Sequence, residues 1–447
     1  FSFDGKSYKG FAGDTLASAL MANDVLLLGR SFKYHRPRGA ITSGSAEPNA
    51  IVTIGEGGRS EPNARATMAE LHQGLVSVSQ NRWPSLKYDV GSVNSLLSPF
   101  LSAGFYYKTF MWPKAFWEKV YEPFIRKAAG LGKLAITEAD PDCYEKCWAH
   151  CDLLVVGAGP TGLNAALVAG RAGLRVIVAD ESFRLGGSLL STRASIGGTS
   201  APDYAAGLVD ELKALDTVTL MARTTVFGWY DDMVFGAVER VQKHVAMPSA
   251  DRPVERVWRI AAKRAILASG AEERPLVFGG NDRPGVMTAS AMRSYANRYA
   301  VAAGKKVAVF TNGASGYETA RDLVAQGIDV SLIDSRAEAA DVAPAGARTL
   351  MGGKVVDTKG YMRIKGLVVD RSGYEDRLDC DALASSGGWS PIIHLLCQRG
   401  AKPVWSDELS AFVAPHSEAA FQPAGSAAGE YRLSACLADG WARGAEA

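Results

Sequence analysis

The sequence predicts an α/β protein in which a small α+β domain precedes two strand–turn–helix–strand units. The first unit, "DLLVVGAGPTGLNAALVAGRAGLRVIVADE" from Asp152, runs an apolar strand into Gly157, Gly159 and Gly162. A helix and a second strand ending at Asp180 follow. The second, "KVAVFTNGASGYETARDLVAQGIDVSLID" from Lys306, repeats that order, with Thr311 where the first glycine belongs and Gly313 and Gly316 kept. Before both, residues 1 to about 60 alternate short strands with turns around one apolar helix.

Composition sets the outer bounds. The chain has 447 residues, 47% of them hydrophobic, and a formal net charge of +2, which suits two to four globular domains. So small a net charge argues against wholesale nucleic-acid binding. No apolar run reaches the roughly 18 residues that a membrane span needs. The chain opens on Phe1 rather than Met, which leaves a preceding targeting segment open. Six cysteines in this length do not make a secreted disulfide framework, so the compartment reads as reducing cytoplasm. Cys143, Cys147 and Cys151, with His150 beside them, stand at helical spacing, but the following strand carries Cys151 off that face. Buried or interfacial thiols are expected there rather than zinc.

In chain order, "FSFDGKSYKGFAGDTLASALMAND" gives a hairpin about Asp4-Gly5, then a helix with Asp14 as its N-cap. "GRSFKYHRPRG", residues 29–39, packs Arg30, Lys33, His35, Arg36 and Arg38 into one loop. Arg side chains pair in forks with phosphate and carboxylate, so an anion or a partner subunit is the favoured contact, a solvated turn the alternative. "NAIVTIG" is a further strand. Residues 104–124, "GFYYKTFMWPKAFWEKVYEPF", hold nine aromatics in 21 positions and suggest an amphipathic helix with Pro113 in its first turn. Core packing and a subunit interface stay equally open for it.

At the first glycine turn, Gly157 permits the tight bend, Gly159 admits a pyrophosphate, and Gly162 lets helix and strand pack. The helix N-terminus offers partial positive charge to the phosphates. Asp180 stands where an acid accepts from the adenosine ribose. "RLGGSLLS", "RAILASGAEERPLVFGGNDRPGV" and "LASSGGWSPIIHL" resemble the crossover segments of flavoprotein reductases with two dinucleotide domains. The fold class expected is therefore a β-grasp ferredoxin-like domain followed by FAD/NAD(P)-type double Rossmann-like domains. The boundaries expected are 1–95 for the ferredoxin-like domain and 96–151 for an aromatic-rich helical connector. Residues 152–284 with 391–447 would form the first Rossmann-like domain, and 285–390 a nested second one. A threonine at the second turn crowds any pyrophosphate, so no working nucleotide site is expected there. Ser426 in "FQPAGSAAGEYRLSACLADG" stands where such reductases carry an aspartate for the flavin, which weakens the case for FAD.

The order hairpin, helix, long loop and strand is that of plant-type ferredoxins, yet residues 29–46 hold no cysteine to ligate a [2Fe–2S] cluster. "GRSFKYHRPRG", "SGSAEPNA", "SQNRWPSL" and the aromatic segment resemble the alpha subunit of heterotetrameric sarcosine oxidase, and the resemblance covers nearly the whole chain. It implies NAD in place of FAD, lined by Thr161, Asp180, Glu181, Ser182, Ser188, Val226, Ala428 and Leu433. Thr161 and the glycines would sit by the pyrophosphate. Asp180 and Glu181 would engage the ribose and repel a 2′-phosphate, and Val226 would offer backbone to the adenine. The resemblance further implies a flavin-carrying beta subunit with FAD and FMN, and oxidation of sarcosine to glycine, formaldehyde and hydrogen peroxide. The basic loop would contact that subunit near the FMN phosphate. The family's folate-type domain lies beyond the matching region, so tetrahydrofolate is not carried over to residues 1–447. No catalytic residue is expected. There is no Cys-x-x-Cys, Gly-x-Ser-x-Gly or His-Glu-x-x-His, and His35, His72, His150, His244, His394 and His416 occur singly. The competing readings are a self-contained FAD-dependent pyridine-nucleotide oxidoreductase and the equivalent subunit of another amine or imino acid dehydrogenase complex.

Overall fold

The structure is a computed structural model that describes residues 1–108, 110–128, 130–415 and 420–447, so His416 lies outside the described residues. Two compact units divide the chain. One gathers Phe1–Pro141, Pro275–Tyr295 and Val301–Ser386; the other gathers Asp142–Arg274, Ala296–Ala300 and Gly387–Ala447.

In the first unit, Asp4 and Gly5 take φ of 48° and 76°, which turns Ser2–Phe3 back on Lys6–Ser7. Ser2–Phe3 then pairs in parallel with Val76–Ser79 in a five-stranded sheet that also holds Ile51–Ile54 and Glu61–Arg65. The helix Leu16–Ala22 packs its buried leucines with Phe3, Val52 and Leu75. Its N-cap is Thr15, not Asp14. The Thr15 side chain accepts from Ser18 N and the Ser18 hydroxyl closes a reciprocal box. Asp14 braces the box from outside, accepting from Ser18 Oγ at 2.9 Å and Phe11 N at 2.9 Å.

The basic loop has internal counter-groups. Arg36 forms a two-pronged pair with Asp282 at 2.6 and 2.6 Å, and Arg38 reaches the same carboxylate. Buried Arg30 donates to the carbonyls of Leu86 and His35, at 2.9 Å and 3.0 Å. His35 Nδ1 meets the buried Asp89 at 2.6 Å, and Lys33 lies over the Tyr34 ring.

The rest of this unit holds a five-stranded parallel sheet in the order Val286–Thr288, Ala382–Ser386, Lys306–Thr311, Asp329–Asp334, Arg348–Met351. An antiparallel sheet of Lys354–Gly360, Ile364–Arg371 and Tyr374–Asp379 accompanies it. The aromatic segment is helical in two pieces. A short helix Phe105–Lys108 stands apart, and after Pro113, the N-cap, a continuous helical run opens as 3₁₀ at Lys114–Phe116, widens to π at Trp117–Tyr121 and ends as α-helix at Glu122–Ala128. Trp112 (84%) and Phe124 (71%) stand in solvent, so these two do not pack into a core of their own chain.

The second unit is built on a seven-stranded sheet. Val218–Met221, Val176–Ala179, Tyr144–Val156, Glu255–Leu267, Val234–Arg240 and Thr224–Trp229 lie in that order, and Phe421–Pro423 joins Glu255–Leu267 in parallel. The first strand of the glycine unit starts at Tyr144, so "CYEKCWAHC" is strand and not helix. A strand rises about 3.3 Å per residue, which sets Cys147 and Cys151 roughly 13 Å apart, against about 6 Å on a helix. Shared metal ligation is ruled out by that length alone. Among the described residues no cluster of three His, Cys, Asp or Glu groups suits a metal. Burial pushes the Cys151 thiol up to about 12.

Candidate functional site

The strand Tyr144–Val156 delivers the chain into Gly157 at φ 103°, where an added Cβ would strike the carbonyl of Ala268. Gly159 is the N-cap of the helix Pro160–Arg171 and Pro160 opens its first turn. A Cβ at Gly162 would collide with the carbonyl of Gly157, so helix and turn close only on glycine. At Gly159, by contrast, an added Cβ meets nothing within 4 Å. The fold leaves that side of the turn clear, as a phosphate approaching backbone N–H groups requires.

Asp180 is part of the frame of this turn. Its Oδ2 accepts Ala158 N at 2.6 Å and its Oδ1 accepts Ser182 N at 2.8 Å, so the carboxylate braces the glycine turn from below. Each oxygen keeps a lone pair for a further donor. Two backbone bonds then bring in the next strand: Arg223 N to Ser182 O at 2.9 Å and Thr224 N to Asp180 O at 2.7 Å. They carry Val226, which is buried, into the same neighbourhood. Glu181 lies beside this corner, and Arg240 reaches its carbonyl.

Gly186 N bonds to Ala158 O at 2.8 Å, and Gly187 sits so close to Gly159 that an added Cβ would lie 2.8 Å from its Cα. Ser188 follows, exposed, in the 3₁₀ turn Gly187–Ser191. From the C-terminal end, the turn Gly425–Ala428 leaves Ala428 exposed, and Leu433 packs on Leu189 and Leu190. Of the eleven residues named from the sequence, Gly157, Gly159, Asp180, Glu181, Ser182, Ser188 and Ala428 stand on turns and loops, Thr161, Gly162 and Leu433 in the first turns of two helices, and Val226 on a strand.

One of them, Thr161, has its hydroxyl engaged within the chain. Thr161 is buried and its hydroxyl donates to the carbonyl of Cys436 at 3.0 Å, which ties the helix to Leu433–Glu446. Only its backbone N–H remains for a phosphate. Asp439, which the motif reading missed, accepts Gly425 N at 2.6 Å and anchors the turn near Ser426. Nothing in its local sequence marks it out, because the contact spans 14 residues.

The second turn is filled. Thr311 is wholly buried, and its Oγ1 accepts Gly313 N at 3.1 Å and donates to Gly313 O at 2.8 Å. A Cβ at Gly316 would lie against the Thr311 side chain. The acid at the end of the next strand, Asp334, is consumed internally. Tyr317 donates its phenol to it at 2.7 Å, and Arg336 donates at 2.7 Å.

Comparisons with known proteins agree with this layout. A 2Fe-2S iron-sulfur cluster binding domain family matches residues 1–82, and a pyridine nucleotide-disulphide oxidoreductase family matches residues 151–357. Sarcosine oxidase subunit alpha of Rhizobium meliloti (strain 1021) is 60% identical over 444 residues, covering 99% of this chain and 45% of that protein. The subunit of the same name from Corynebacterium sp. (strain P-1) is 37% identical over 458 residues, 99% of this chain and 43% of that protein. The chain therefore spans less than half the length of the curated relatives it matches. In fold, it is similar to L-proline dehydrogenase from P. horikoshii, with a TM-score of 0.68, 21% identity, and coverage of 99% of this chain and 72% of that one.

The iron–sulfur family name does not fit the residues present. The first cysteine of the chain is Cys143, so a cluster held by thiolates has no ligand in residues 1–142. The corresponding loop is closed by Glu47 instead. Its buried carboxylate accepts Ile41 N, Thr42 N, Asn49 N and Ala50 N at 2.8, 2.7, 2.7 and 2.9 Å. Over the region they share, the chain is a homologue of sarcosine oxidase subunit alpha, built from a 2Fe-2S-type domain without cluster ligands and a pyridine nucleotide-disulphide oxidoreductase region.

Proposed function

We propose that the Gly157–Gly162 turn holds NAD, and that this chain is the non-catalytic, NAD-holding portion of a multi-subunit flavin-dependent oxidase. Its substrate would be sarcosine or another N-methyl amino acid. The contrast between the two glycine turns carries the reading. The first is clear at Gly159 with an acid at Asp180; the second is filled by Thr311, and its acid is spent on Tyr317 and Arg336. A chain with one usable dinucleotide turn and no cysteine pair beside it has no internal route for passing a hydride between a nicotinamide and a flavin.

In this reading Asp180 and Glu181 take the adenosine ribose, the backbone of Thr161 and the glycines faces the pyrophosphate, and Ser182, Ser188, Val226, Ala428 and Leu433 complete the lining. Residues 1–95 form the cluster-less ferredoxin-like domain and 96–151 a connector. Residues 152–284 with 391–447 form the NAD domain, around a nested domain at 285–390. FAD and FMN belong to a partner beta subunit, where sarcosine, water and oxygen become glycine, formaldehyde and hydrogen peroxide. Solvent-facing Trp112, Phe116 and Phe124 supply the aromatic surface that such an interface uses. Six free thiols suit a reducing cytoplasm.

The test is to purify the chain with its partners, separate and denature the subunits, and identify the released nucleotides by mass spectrometry. NAD from this chain, with flavin on another subunit, supports the reading. FAD released from this chain, with NADH oxidation by it alone, overturns the reading in favour of a self-contained reductase.

A further inference from the structure

Arg298 belongs to the same compact unit as the first glycine turn, within Ala296–Ala300. Its guanidinium stacks over the rings of Phe183 and Tyr299, with centroid distances of 5.3 Å and 5.0 Å. It is half-buried, yet its five N–H donors find no hydrogen-bond acceptor among the described residues. Two aromatic faces hold the plane of the fork but leave its edge unanswered. A guanidinium kept in that state is organised for an anionic, planar or tetrahedral acceptor that the chain does not itself supply.

The surroundings say which acceptor. Phe183 lies three residues after Asp180, on the loop whose Gly186 bonds to Ala158 O and whose Gly187 abuts Gly159. Asn297, the neighbour of Arg298, donates to Ser191 O at 2.9 Å at the far end of that loop. Segment 296–300 is thus fastened along the rim of the first glycine turn, and Arg298 feels the charges of both Asp180 and Arg184. Arg184 is exposed on the same loop and also has no acceptor among the described residues.

We propose that Arg298 is a binding residue for the diphosphate bridge of the dinucleotide held at the Gly157–Gly162 turn, seconded by Arg184 from the loop. The inference rests on the dinucleotide reading above. Backbone N–H groups at a glycine turn carry only partial charge. Two arginines on the rim provide the full positive charge that a diphosphate bearing two negative charges calls for. A 2′-phosphate is the poorer fit, because the carboxylates of Asp180 and Glu181 lie on that side.

The experiment uses the full chain, stripped of nucleotide, and measures binding by calorimetry with NAD, ADP-ribose, FAD, NADP and adenosine as probes. Arg298→Met keeps the apolar stem over Phe183 and loses the charge; Arg298→Lys keeps the charge and loses the planar fork. The expected result is a loss of about ten-fold or more for NAD and ADP-ribose in R298M, an intermediate loss in R298K, and unchanged adenosine binding. Equal weakening of adenosine overturns the proposal, since it would show a structural prop for the loop. An effect confined to NADP also overturns it, in favour of 2′-phosphate recognition. NAD bound equally by wild type and R298M overturns this inference alone. FAD shares the adenosine diphosphate half, so a wild type that holds FAD instead loses the parent reading. It still tests Arg298 through the same R298M comparison. A wild type that binds no dinucleotide ends both.

Discussion

The carboxylate of Asp180 accepts the backbone N–H of Ala158 at 2.6 Å, reaching across from the end of one strand to the glycine turn at the end of its neighbour. An acid expected to serve only a ligand is also part of the turn's frame. Asp180→Asn therefore has two effects. The amide points a donor at a donor, either at Ala158 N or at Ser182 N. The fold should lose about 1–2 kcal/mol in denaturant unfolding and NAD affinity should fall at least ~10-fold. A variant with weakened binding and unchanged stability would show that the bond to Ala158 is energetically idle.

The glycines of the first turn are separable by experiment. Gly162→Ala puts a methyl against the Gly157 carbonyl and should cost about 3 kcal/mol or prevent soluble expression. Gly159→Ala meets no protein atom within 4 Å, at a φ of −79° that alanine accepts readily. It should change stability by no more than about 0.5 kcal/mol while removing most nucleotide binding. Thermal melts of the ligand-free chains, read beside the calorimetry, distinguish the two.

Tyr317 and Asp334 give a prediction with a pH signature. Burial opposes ionisation of Asp334, but hydrogen bonds from Arg336 and Tyr317 outweigh it and hold the carboxyl below the usual carboxylate range. A depressed folded pKa adds stability above the unfolded value near ~3.9, and that stability is lost as pH falls through the folded value. Tyr317→Phe removes one donor from a buried charge and should cost about 1–3 kcal/mol at neutral pH. Urea midpoints of the two proteins should converge as pH falls below about 4. A constant difference down to pH 3 would mean that lost packing, not the charge, causes the effect.

Glu47 is the most heavily bonded carboxylate of the first domain. Glu47→Gln presents an amide to four backbone N–H groups and leaves at least one of them facing another donor. Glu47→Ala leaves all four without an acceptor. The expected losses are about 2 kcal/mol and more than about 3 kcal/mol, read by denaturant unfolding of residues 1–82 within the full chain. Hydrogen exchange at Ile41, Thr42, Asn49 and Ala50 should rise first. Unchanged protection there would refute the role.

The glycine turn was legible in the sequence because its logic is local: strand, bend, helix and acid lie within 30 residues. The partners that complete it were not. Thr161 meets Cys436 across 275 positions, and Gly425 meets Asp439 across a turn and half of a helix. Chain spacing carries no trace of either. The threonine at position 311 was visible as a departure, but not the way its hydroxyl bridges the turn, nor that Tyr317 occupies Asp334. Where the reading failed, a local pattern had two physical meanings. Cysteines at spacing four fit a helix face and a strand face equally, and long parallel pairing with Glu255–Leu267 decided for the strand. Asp14 and Thr15 are both good caps, and only the backbone angle of Thr15 separates them. In the aromatic segment the helix after Pro113 was legible from its spacing, but not the π turn Trp117–Tyr121 inside it nor the separate helix Phe105–Lys108.

The carboxylate that closes residues 41–50 also changes how this domain comes into being. A ferredoxin loop matures only when iron and sulfide are delivered to it, and oxidants that dismantle clusters undo it. Here the closing group is encoded in the chain. The loop can set as soon as Glu47 is synthesised and folded, in an iron-starved cell as readily as in a replete one. Were the proposed oxidase to make peroxide nearby, this domain would offer it no thiolate-held cluster to attack.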